Sequence, residues 1–275
     1  MATSGAPALE LADITCRFAD RERRGQAYVA VANATLTVGQ GEFVSVVGPT
    51  GCGKSTLLNV AAGLLAPSSG SVTVFGEKLL PDQGVNRRAG YMFQADALMP
   101  WRTGIANVVA GLEFRGVPPA EAAERGEEWL RRVGLAGFGD RYPHQMSGGM
   151  RKRLALAQTL ILSPDILLMD EPFSALDVQT RQLMENELLA LWAEDKKSVL
   201  FITHDLEEAI ALSDRVIVLS AGPGTHPIGD FRIDLPRPRD VSEIRMTPDF
   251  LAVHKEIWAA MKEEVLKAYA RQKVA

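Results

Sequence analysis

The chain has 275 residues, enough for one large α/β domain or two small ones with a buried core. Its net charge of −4 argues against a nucleic-acid-binding protein, which usually carries a basic face. No apolar run approaches the roughly 18 residues that a membrane-spanning helix needs, and the N-terminus lacks the pattern of a secretory signal. We expect a cytosolic protein in which Cys16 and Cys52 are free thiols.

The first 95 residues are predicted to form mainly short strands. Residues 9–47 alternate apolar and polar positions and are interrupted by a Gly-Gln-Gly turn, a pattern typical of strands joined by turns. Two more strands are predicted at 71–75 and 88–93, and one helix at 54–65.

From about residue 95 to 163 the sequence favours helices, and beyond that strands and helices alternate. The helices of the first part are predicted at 105–114, 120–133 and 148–162. The later elements are strands at 166–170, 198–203 and 215–219 and helices at 178–194 and 206–213. Such alternation implies a parallel sheet covered on both faces. We therefore predict an α/β core interrupted by a helical insertion over about residues 95–163.

The last part of the chain is predicted to contain one amphipathic helix. Its apolar residues recur at helical spacing among charges: Phe250, Val253, Ile257, Met261, Val265 and Tyr269. Packing of this face against the protein's own body is the favoured interpretation. A surface for a partner is the alternative.

A phosphate-binding loop is predicted at residues 48–56, which read G-P-T-G-C-G-K-S-T. The segment matches G-x-x-x-x-G-K-[ST], follows an apolar strand and opens a helix, as that pattern requires. Glycines let backbone N–H groups approach phosphate oxygens, and the helix N-terminus favours an anion. Lys54 would contact the β- and γ-phosphates, and the Ser55 hydroxyl would bind Mg²⁺. The predicted loop consists of Gly48, Pro49, Thr50, Gly51, Cys52, Gly53, Lys54, Ser55 and Thr56.

Two acids end the apolar strand predicted at 166–170. The carboxyl ends of core strands in α/β sheets are where ligands bind. Asp170 suits the Mg²⁺ shell, directly or through water, and Glu171 suits a general base for the water that attacks the γ-phosphate. Alone, such a pair could belong to an ordinary turn. Beside a phosphate loop it indicates nucleotide hydrolysis.

Four further motifs resemble those of ABC transporter ATPases. Residues 146–150, M-S-G-G-M, lie some twenty residues before the acid pair and are similar to that family's signature motif. Residues 174–177, S-A-L-D, resemble its D-loop, and residues 203–205, T-H-D, resemble its switch histidine segment. Gln94 follows a predicted strand, as the glutamine of the Q-loop does. The order and spacing of the motifs agree with the family over nearly the whole chain.

Some positions leave alternatives open or depart from the family pattern. Phe18 lies where the family has an aromatic ring that stacks on adenine, and Tyr28 is the rival position. Residues 147–149 also fit the N-cap of a helix. The common glutamine of the signature is Met150 here, and a second glutamine is replaced by Lys152. We expect function to be retained.

The resemblance implies an α/β fold with a P-loop NTPase core, a mostly parallel sheet, an N-terminal antiparallel β-subdomain and a helical insertion. It implies an ATPase domain over residues 1–240 and a helical tail over 241–275. ATP and Mg²⁺ would be the cofactors. Two ATPase subunits, identical or different, would close head to tail over two nucleotides.

The resemblance also assigns roles to individual residues. Catalysis is assigned to Glu171, His204 and Gln94. Metal binding is assigned to Ser55, Gln94 and Asp170. Nucleotide contacts outside the phosphate loop are assigned to Phe18, Ser147, Gly148, Gly149 and Asp177.

The expected partner is a separate transmembrane permease, with a periplasmic or extracellular solute-binding protein as an indirect partner and no nucleic acid. The apolar cluster at 98–101 would line the permease contact, and internal packing is its alternative. Residues 93–101 and 235–239 are similar to importer ATPases for nitrate, sulfonates, taurine and related anions or thiamine precursors. The expected location is the cytoplasmic face of the plasma membrane. Alternatives are a repair or translation ATPase of the same family, a small-molecule kinase, a non-catalytic binding module and an exporter subunit.

Overall fold

The chain folds into two sheets and a set of helices. The computed structural model describes residues 5–19, 27–80 and 84–272. The smaller sheet is antiparallel and lies in the first third of the chain. Its strands, in chain order, are β1 (Leu9–Ala19), β2 (Ala27–Val38), β4 (Ser69–Val74) and β5 (Glu77–Lys78). Their spatial order is β2-β1-β4-β5.

The larger sheet is mostly parallel. Its strands are β3 (Phe43–Val47), β6 (Ala89–Met92), β7 (Ile166–Asp170), β8 (Ser198–Ile202), β9 (Arg215–Leu219) and β10 (Pro227–Arg232). Their order is β10-β9-β3-β8-β7-β6, and β10 alone runs antiparallel to its neighbour among these described strands. All residues of β3 and β8 are buried, because helices or the smaller sheet cover both faces of the larger one.

The helices pack in three places around the two sheets. The helices are α1 (Lys54–Ala61), α2 (Gly104–Phe114), α3 (Pro119–Arg132), α4 (Gly148–Leu160), α5 (Val178–Glu194), α6 (Leu206–Leu212), α7 (Val241–Ile244) and α8 (Pro248–Gln272). α2, α3 and α4 share an apolar cluster of their own. α1 packs between the two sheets, whereas α5, α6 and α8 cover the opposite face of the larger sheet.

The apolar face of α8 packs against the protein's own core. Phe250, Ile257 and Met261 are buried there, with Val253 and Val265 partly buried beside them. The favoured interpretation of the tail is therefore confirmed for these five positions. Within the described residues, no helix has both the length and the apolarity to cross a lipid bilayer.

Several element bounds differ from the prediction. The helix predicted at 54–65 ends at Ala61, because Gly63 turns the chain with φ of 70° and the N–H groups of Leu64 and Leu65 both donate to Asn59 O. Strand β10 was not predicted, since Pro227 and Gly229 are poor strand formers. The short elements β5 and α7 were not predicted either.

Candidate nucleotide site

The predicted phosphate loop joins β3 to α1 and turns tightly. Gly51 and Gly53 have φ of 74° and 115°, which an L side chain rarely adopts. Gly53 caps α1, so the first N–H groups of the helix border the loop. The buried Lys54 side chain folds back over the loop: Nζ donates to Gly48 O at 2.9 Å and to Pro49 O at 3.1 Å. Its ammonium thus lies within the concave side of the loop, where a phosphate would be bound.

Ser55 and Asp170 bring two oxygen ligands together beside this loop. The Ser55 hydroxyl donates to Asp170 Oδ1 at 3.0 Å. Burial raises the pKa of Asp170, the Glu171 charge adds to the rise, and the Ser55 hydroxyl and Lys54 oppose it. Burial and the Asp170 charge also raise the pKa of Tyr91. A partly buried carboxylate beside a hydroxyl oxygen fits Mg²⁺, a hard cation that prefers oxygen ligands.

Glu171 lies between Lys54 and His204. Its Oε2 is 2.8 Å from His204 Nδ1, and its Oε1 is 4.0 Å from Lys54 Nζ. The backbone of Glu171 has φ of 43°, an uncommon conformation for a side-chain-bearing residue. Its N–H donates to Ile202 O at 2.9 Å, and its carbonyl accepts from Ser174 Oγ at 3.0 Å. The acid is therefore fixed at both backbone groups.

The turn that carries His204 is fixed by the start of α6. Asp205 caps this helix and accepts from the N–H groups of Glu207 and Glu208 at 2.9 and 3.2 Å. The Thr203 hydroxyl accepts from Asp205 N and donates to Glu208. Because strands β7 and β8 are neighbours, the turns after them place Glu171 and His204 side by side.

A second group of predicted residues lies at the N-termini of α4 and α5. Ser147 caps α4 by accepting from Met150 N at 3.2 Å, so the predicted N-cap is confirmed. Asp177 caps α5 by accepting from Thr180 N at 3.0 Å. A Cβ on Gly149 would lie 2.8 Å from Thr180 Cγ2, whereas one on Gly148 would lie 3.8 Å from Leu176. The missing side chain at 149 lets the two helix starts approach closely.

In the described part of the chain, no hydrogen bond joins residues 147–149 to Lys54, Ser55 or Glu171. The predicted site residues thus lie in two separate groups. Each lacks what the other has: one has a phosphate loop with its acids, and the other has exposed polar groups at a helix N-terminus.

Gln94 and the two aromatic candidates lie at the edges of the first group. Gln94 is exposed just after β6, and its carbonyl accepts from Lys152 Nζ at 2.6 Å. Phe18 and Tyr28 are directly opposite in the β1–β2 register, so their exposed side chains share one face of the sheet. Both alternatives for adenine stacking therefore remain.

Lys152 has a structural role that the sequence analysis missed. It is buried, and its ammonium pairs with Asp96 at 3.0 Å while it donates to the Gln94 carbonyl. The lysine that departs from the family pattern therefore fixes the segment that follows β6. The partner Asp96 lies over fifty positions away in sequence, and the basic neighbours Arg151 and Arg153 make Lys152 look like one more solvent-exposed cation.

Comparisons with protein families, with known sequences and with solved structures all point to the same family. The ABC transporter family profile matches residues 31–174. An uncharacterized ABC transporter ATP-binding protein of Methanocaldococcus jannaschii is 47% identical over 248 residues, 90% of each chain. The taurine import ATP-binding protein TauB of Pelagibacter ubique is 40% identical over 252 residues, covering 88% of this chain and 92% of that protein.

A solved structure agrees with this assignment. The dimeric post-hydrolysis state of the ATP-binding cassette MJ0796, bound to ADP and Pi, has a TM-score of 0.72 at 31% identity, over 83% of this chain and 100% of that chain. The predicted fold class is confirmed by this likeness and by the two sheets. The chain therefore belongs to the ABC transporter family, as one of its ATP-hydrolysing cassettes.

Proposed function

We propose that this chain powers a solute importer by binding Mg-ATP, pairing head to tail with a second ATPase subunit, and hydrolysing ATP. The observation that carries the proposal is the division of the predicted site into two groups. The phosphate loop, Asp170, Glu171 and His204 form one group, and the start of α4 forms the other. A second subunit in the opposite orientation would supply the missing group to each nucleotide.

In the proposed reaction the chain contributes positioning and charge. Lys54 exchanges its loop carbonyls for phosphate oxygens. Glu171 accepts a proton from the attacking water, and His204 maintains the orientation of that carboxylate. Mg²⁺ held by Ser55 and Asp170, with Gln94 nearby, would neutralise charge on the phosphate oxygens. Ser147, Gly148 and Gly149 of the second subunit would contact the γ-phosphate through a helix N-terminus.

The remaining predicted contacts belong to the same proposal. Residues 48–56 would bind the phosphates, Phe18 or Tyr28 would stack on adenine, and Asp177 would contact the opposing subunit. We retain the division into an ATPase domain over residues 1–240 and a tail over 241–275.

The proposed permease contact is a groove between β6, α2 and α4. It has a volume of about 300 Å³ and includes Phe93, Met99 and Phe114 in its lining. Phe114 is 84% exposed and the nearby Trp101 is 74% exposed, so large apolar side chains face outward here. Clusters of this kind mark interaction sites. Leu98, by contrast, is half-buried and packs against two apolar clusters.

A charged variant of the groove tests this contact. Phe114→Glu with Trp101→Glu should leave ATP binding intact and abolish co-purification with the permease. Leu251→Glu on α8 is the matched control, because Leu251 is also exposed and apolar. Co-purification of the double variant at the parental yield would contradict the assignment.

The proposed cargo is a small sulfonate or a similar anion such as nitrate, and the proposed location is the cytoplasmic face of the plasma membrane. Support comes from the relative of Pelagibacter ubique that is named for taurine import. Uptake of labelled taurine and nitrate by cells with and without this chain tests the proposal. Equal uptake of both anions in the two strains would contradict it.

The Glu171→Gln variant tests pairing and the role of Glu171 together. With Mg-ATP it should elute as a dimer on size-exclusion chromatography, because ATP is bound and not hydrolysed. Lys54→Ala should remain monomeric under the same conditions. A Glu171→Gln chain that stays monomeric and hydrolyses ATP at the parental rate would contradict both assignments.

A further inference from the structure

The loop after β9, residues 220–226, packs directly against the back of the phosphate loop. Thr225 is 0% exposed, and its hydroxyl donates to the carbonyl of Cys52. A more distant acceptor, Ser220 O, lies 3.4 Å from the same hydroxyl. A Cβ on Gly222 would lie 3.5 Å from both Cα and O of Cys52, so the backbones of the two loops are in close contact.

The backbone of Thr225 is itself fixed to β2. Its N–H donates to Ala30 O at 3.1 Å, and its carbonyl accepts from Ala32 N at 3.0 Å. The neighbouring Gly224 N–H donates to Val29 O at 2.7 Å. Because three backbone hydrogen bonds join this segment to a sheet strand, the Thr225 hydroxyl is presented to Cys52 from a rigid support.

The other end of the 220–226 loop is fixed to α8. The N–H of Ala221 donates to Glu264 Oε2 at 2.7 Å, and Glu264 also pairs with Lys267. Ser220 N in turn donates to His226 O at 2.9 Å, which closes the loop on itself. The loop is thus a connection between the C-terminal helix and the phosphate loop.

The hydrogen bond to Cys52 determines the direction of the next N–H group. A trans peptide is planar, so the Cys52 carbonyl and the Gly53 N–H point in opposite directions. The carbonyl points toward Thr225, on the buried side of the loop. The Gly53 N–H therefore points to the concave side, which holds the Lys54 ammonium and where a phosphate would be bound.

We infer that Thr225 is a positioning residue for nucleotide binding: its hydroxyl orients the Cys52–Gly53 peptide so that the Gly53 N–H is presented to a phosphate group of the nucleotide. This inference rests on the proposed nucleotide site. Thr225 does not contact the nucleotide itself. Its effect is expected on the affinity for ATP and ADP, whose phosphates occupy the loop, and not on the hydrolytic step.

The test compares Thr225→Val with Thr225→Ser in the full chain. Valine keeps the shape of threonine without the hydroxyl, and serine restores the hydroxyl. Thr225→Val should raise the Kd for ATP and ADP and the KM for ATP about tenfold, a typical effect of leaving a buried carbonyl without its donor. Its kcat at saturating ATP should stay within about twofold of the parental value. Thr225→Ser should bind nucleotides like the parent.

A control variant in the same region of the fold distinguishes a positioning role of Thr225 from a purely structural one. Thr15 is also buried, and its hydroxyl donates to Asn33 Oδ1 at 3.2 Å, away from the phosphate loop. Thr15→Val should lower the thermal midpoint without changing the Kd for ADP. If Thr225→Val also lowers only the thermal midpoint, or if Thr225→Ser fails to restore the affinity, the inference is wrong.

Lys54→Ala separates this inference from the proposed site. That variant should lose ATP binding if the phosphate loop binds nucleotide as proposed. Loss of binding in Lys54→Ala with parental affinity in Thr225→Val would overturn the role of Thr225 alone. Parental binding in Lys54→Ala would overturn the proposed site, and the inference with it.

Discussion

Glu171 Oε2 and His204 Nδ1 are 2.8 Å apart, although 33 positions separate the two residues in the sequence. The contact joins the ends of two neighbouring parallel strands, β7 and β8. A carboxylate only accepts hydrogen bonds, so the imidazole Nδ1 carries the hydrogen when Glu171 is ionised. The contact therefore orients the carboxylate, which the proposed role of Glu171 as a general base requires.

Replacement of His204 is expected to slow hydrolysis with little effect on ATP affinity. In His204→Ala the Glu171 carboxylate loses the partner that orients it, and kcat should fall by about 10²-fold or more. The KM for ATP should stay close to the parental value. Steady-state hydrolysis measures both, with His254→Ala on α8 as the matched control. An unchanged kcat in His204→Ala would show that the contact has no catalytic role.

The pH dependence of stability should be altered by a substitution in the buried acid pair beneath the His204 turn. Glu185 and Glu208 are 0% and 4% exposed. Burial raises the pKa of both. The Glu185 charge adds to the rise at Glu208, while Arg245 opposes the rise at Glu185. The folded state therefore retains a proton that the unfolded state has released above pH of about 4.3. The contribution of these two acids to the free energy of unfolding is fully present below that ordinary pKa. It is lost as pH rises through the pKa values of the folded state.

Glu208→Gln removes one of these two acids and keeps an oxygen acceptor for the Thr203 hydroxyl. Its free energy of unfolding should fall less steeply between pH 6 and pH 8.5 than that of the parent. For each unit by which the fold raises the pKa of the replaced acid, the loss of unfolding free energy at the higher pH should shrink by about 1.4 kcal/mol. Urea denaturation at both pH values measures the difference. Parallel pH profiles for the variant and the parent would contradict a raised pKa at Glu208.

The two glycines of the signature segment should differ in their tolerance of a methyl group. In Gly149→Ala the new Cβ would meet Thr180 Cγ2 at 2.8 Å, so the Thr180 side chain or one of the two helices must shift, at a cost of about 1–3 kcal/mol. In Gly148→Ala the nearest atom lies 3.8 Å away, an ordinary contact, and stability should be nearly unchanged. Chemical denaturation of the nucleotide-free chain compares the two. Equal stability of the two variants would show that the helix starts are not closely packed.

Local patterns predicted the elements whose residues carry their own signals. The predicted strand at 166–170, the helix at 178–194 and the strand at 215–219 have the bounds found in the structure. The helix is well defined because Asp177 caps it and residues 178–194 contain neither glycine nor proline. The residues of the phosphate loop and the acid pair could be predicted because their chemistry requires a fixed spacing.

Contacts between distant segments could not be predicted in the same way. The hydrogen bond from Thr225 to Cys52 joins positions 173 apart, and neither residue has a neighbour that indicates the other. Glu185 and Glu208 resemble ordinary surface acids of two helices, and only the packing of α5 against α6 buries them. Lys152 likewise looks like a solvent-exposed helix residue until β6 places Asp96 beside it.

Completion of each ATP site by a second subunit is tested most directly by mixing two inactive variants. Lys54→Ala removes the phosphate contact of one group. Ser147→Glu places a negative charge where the γ-phosphate would be bound, and a helix N-terminus tolerates an acid, so the fold should be retained. Each variant alone should lack ATPase activity, because every site that two copies of the same variant could form is damaged.

In a mixed dimer one site combines the intact Lys54 of one chain with the intact Ser147 of the other. We therefore expect ATPase activity to reappear when the two purified variants are combined and to rise as more mixed dimer forms. Activity of the mixture that equals the sum of the separate solutions, or a Ser147→Glu chain that hydrolyses ATP at the parental rate, would contradict a shared site.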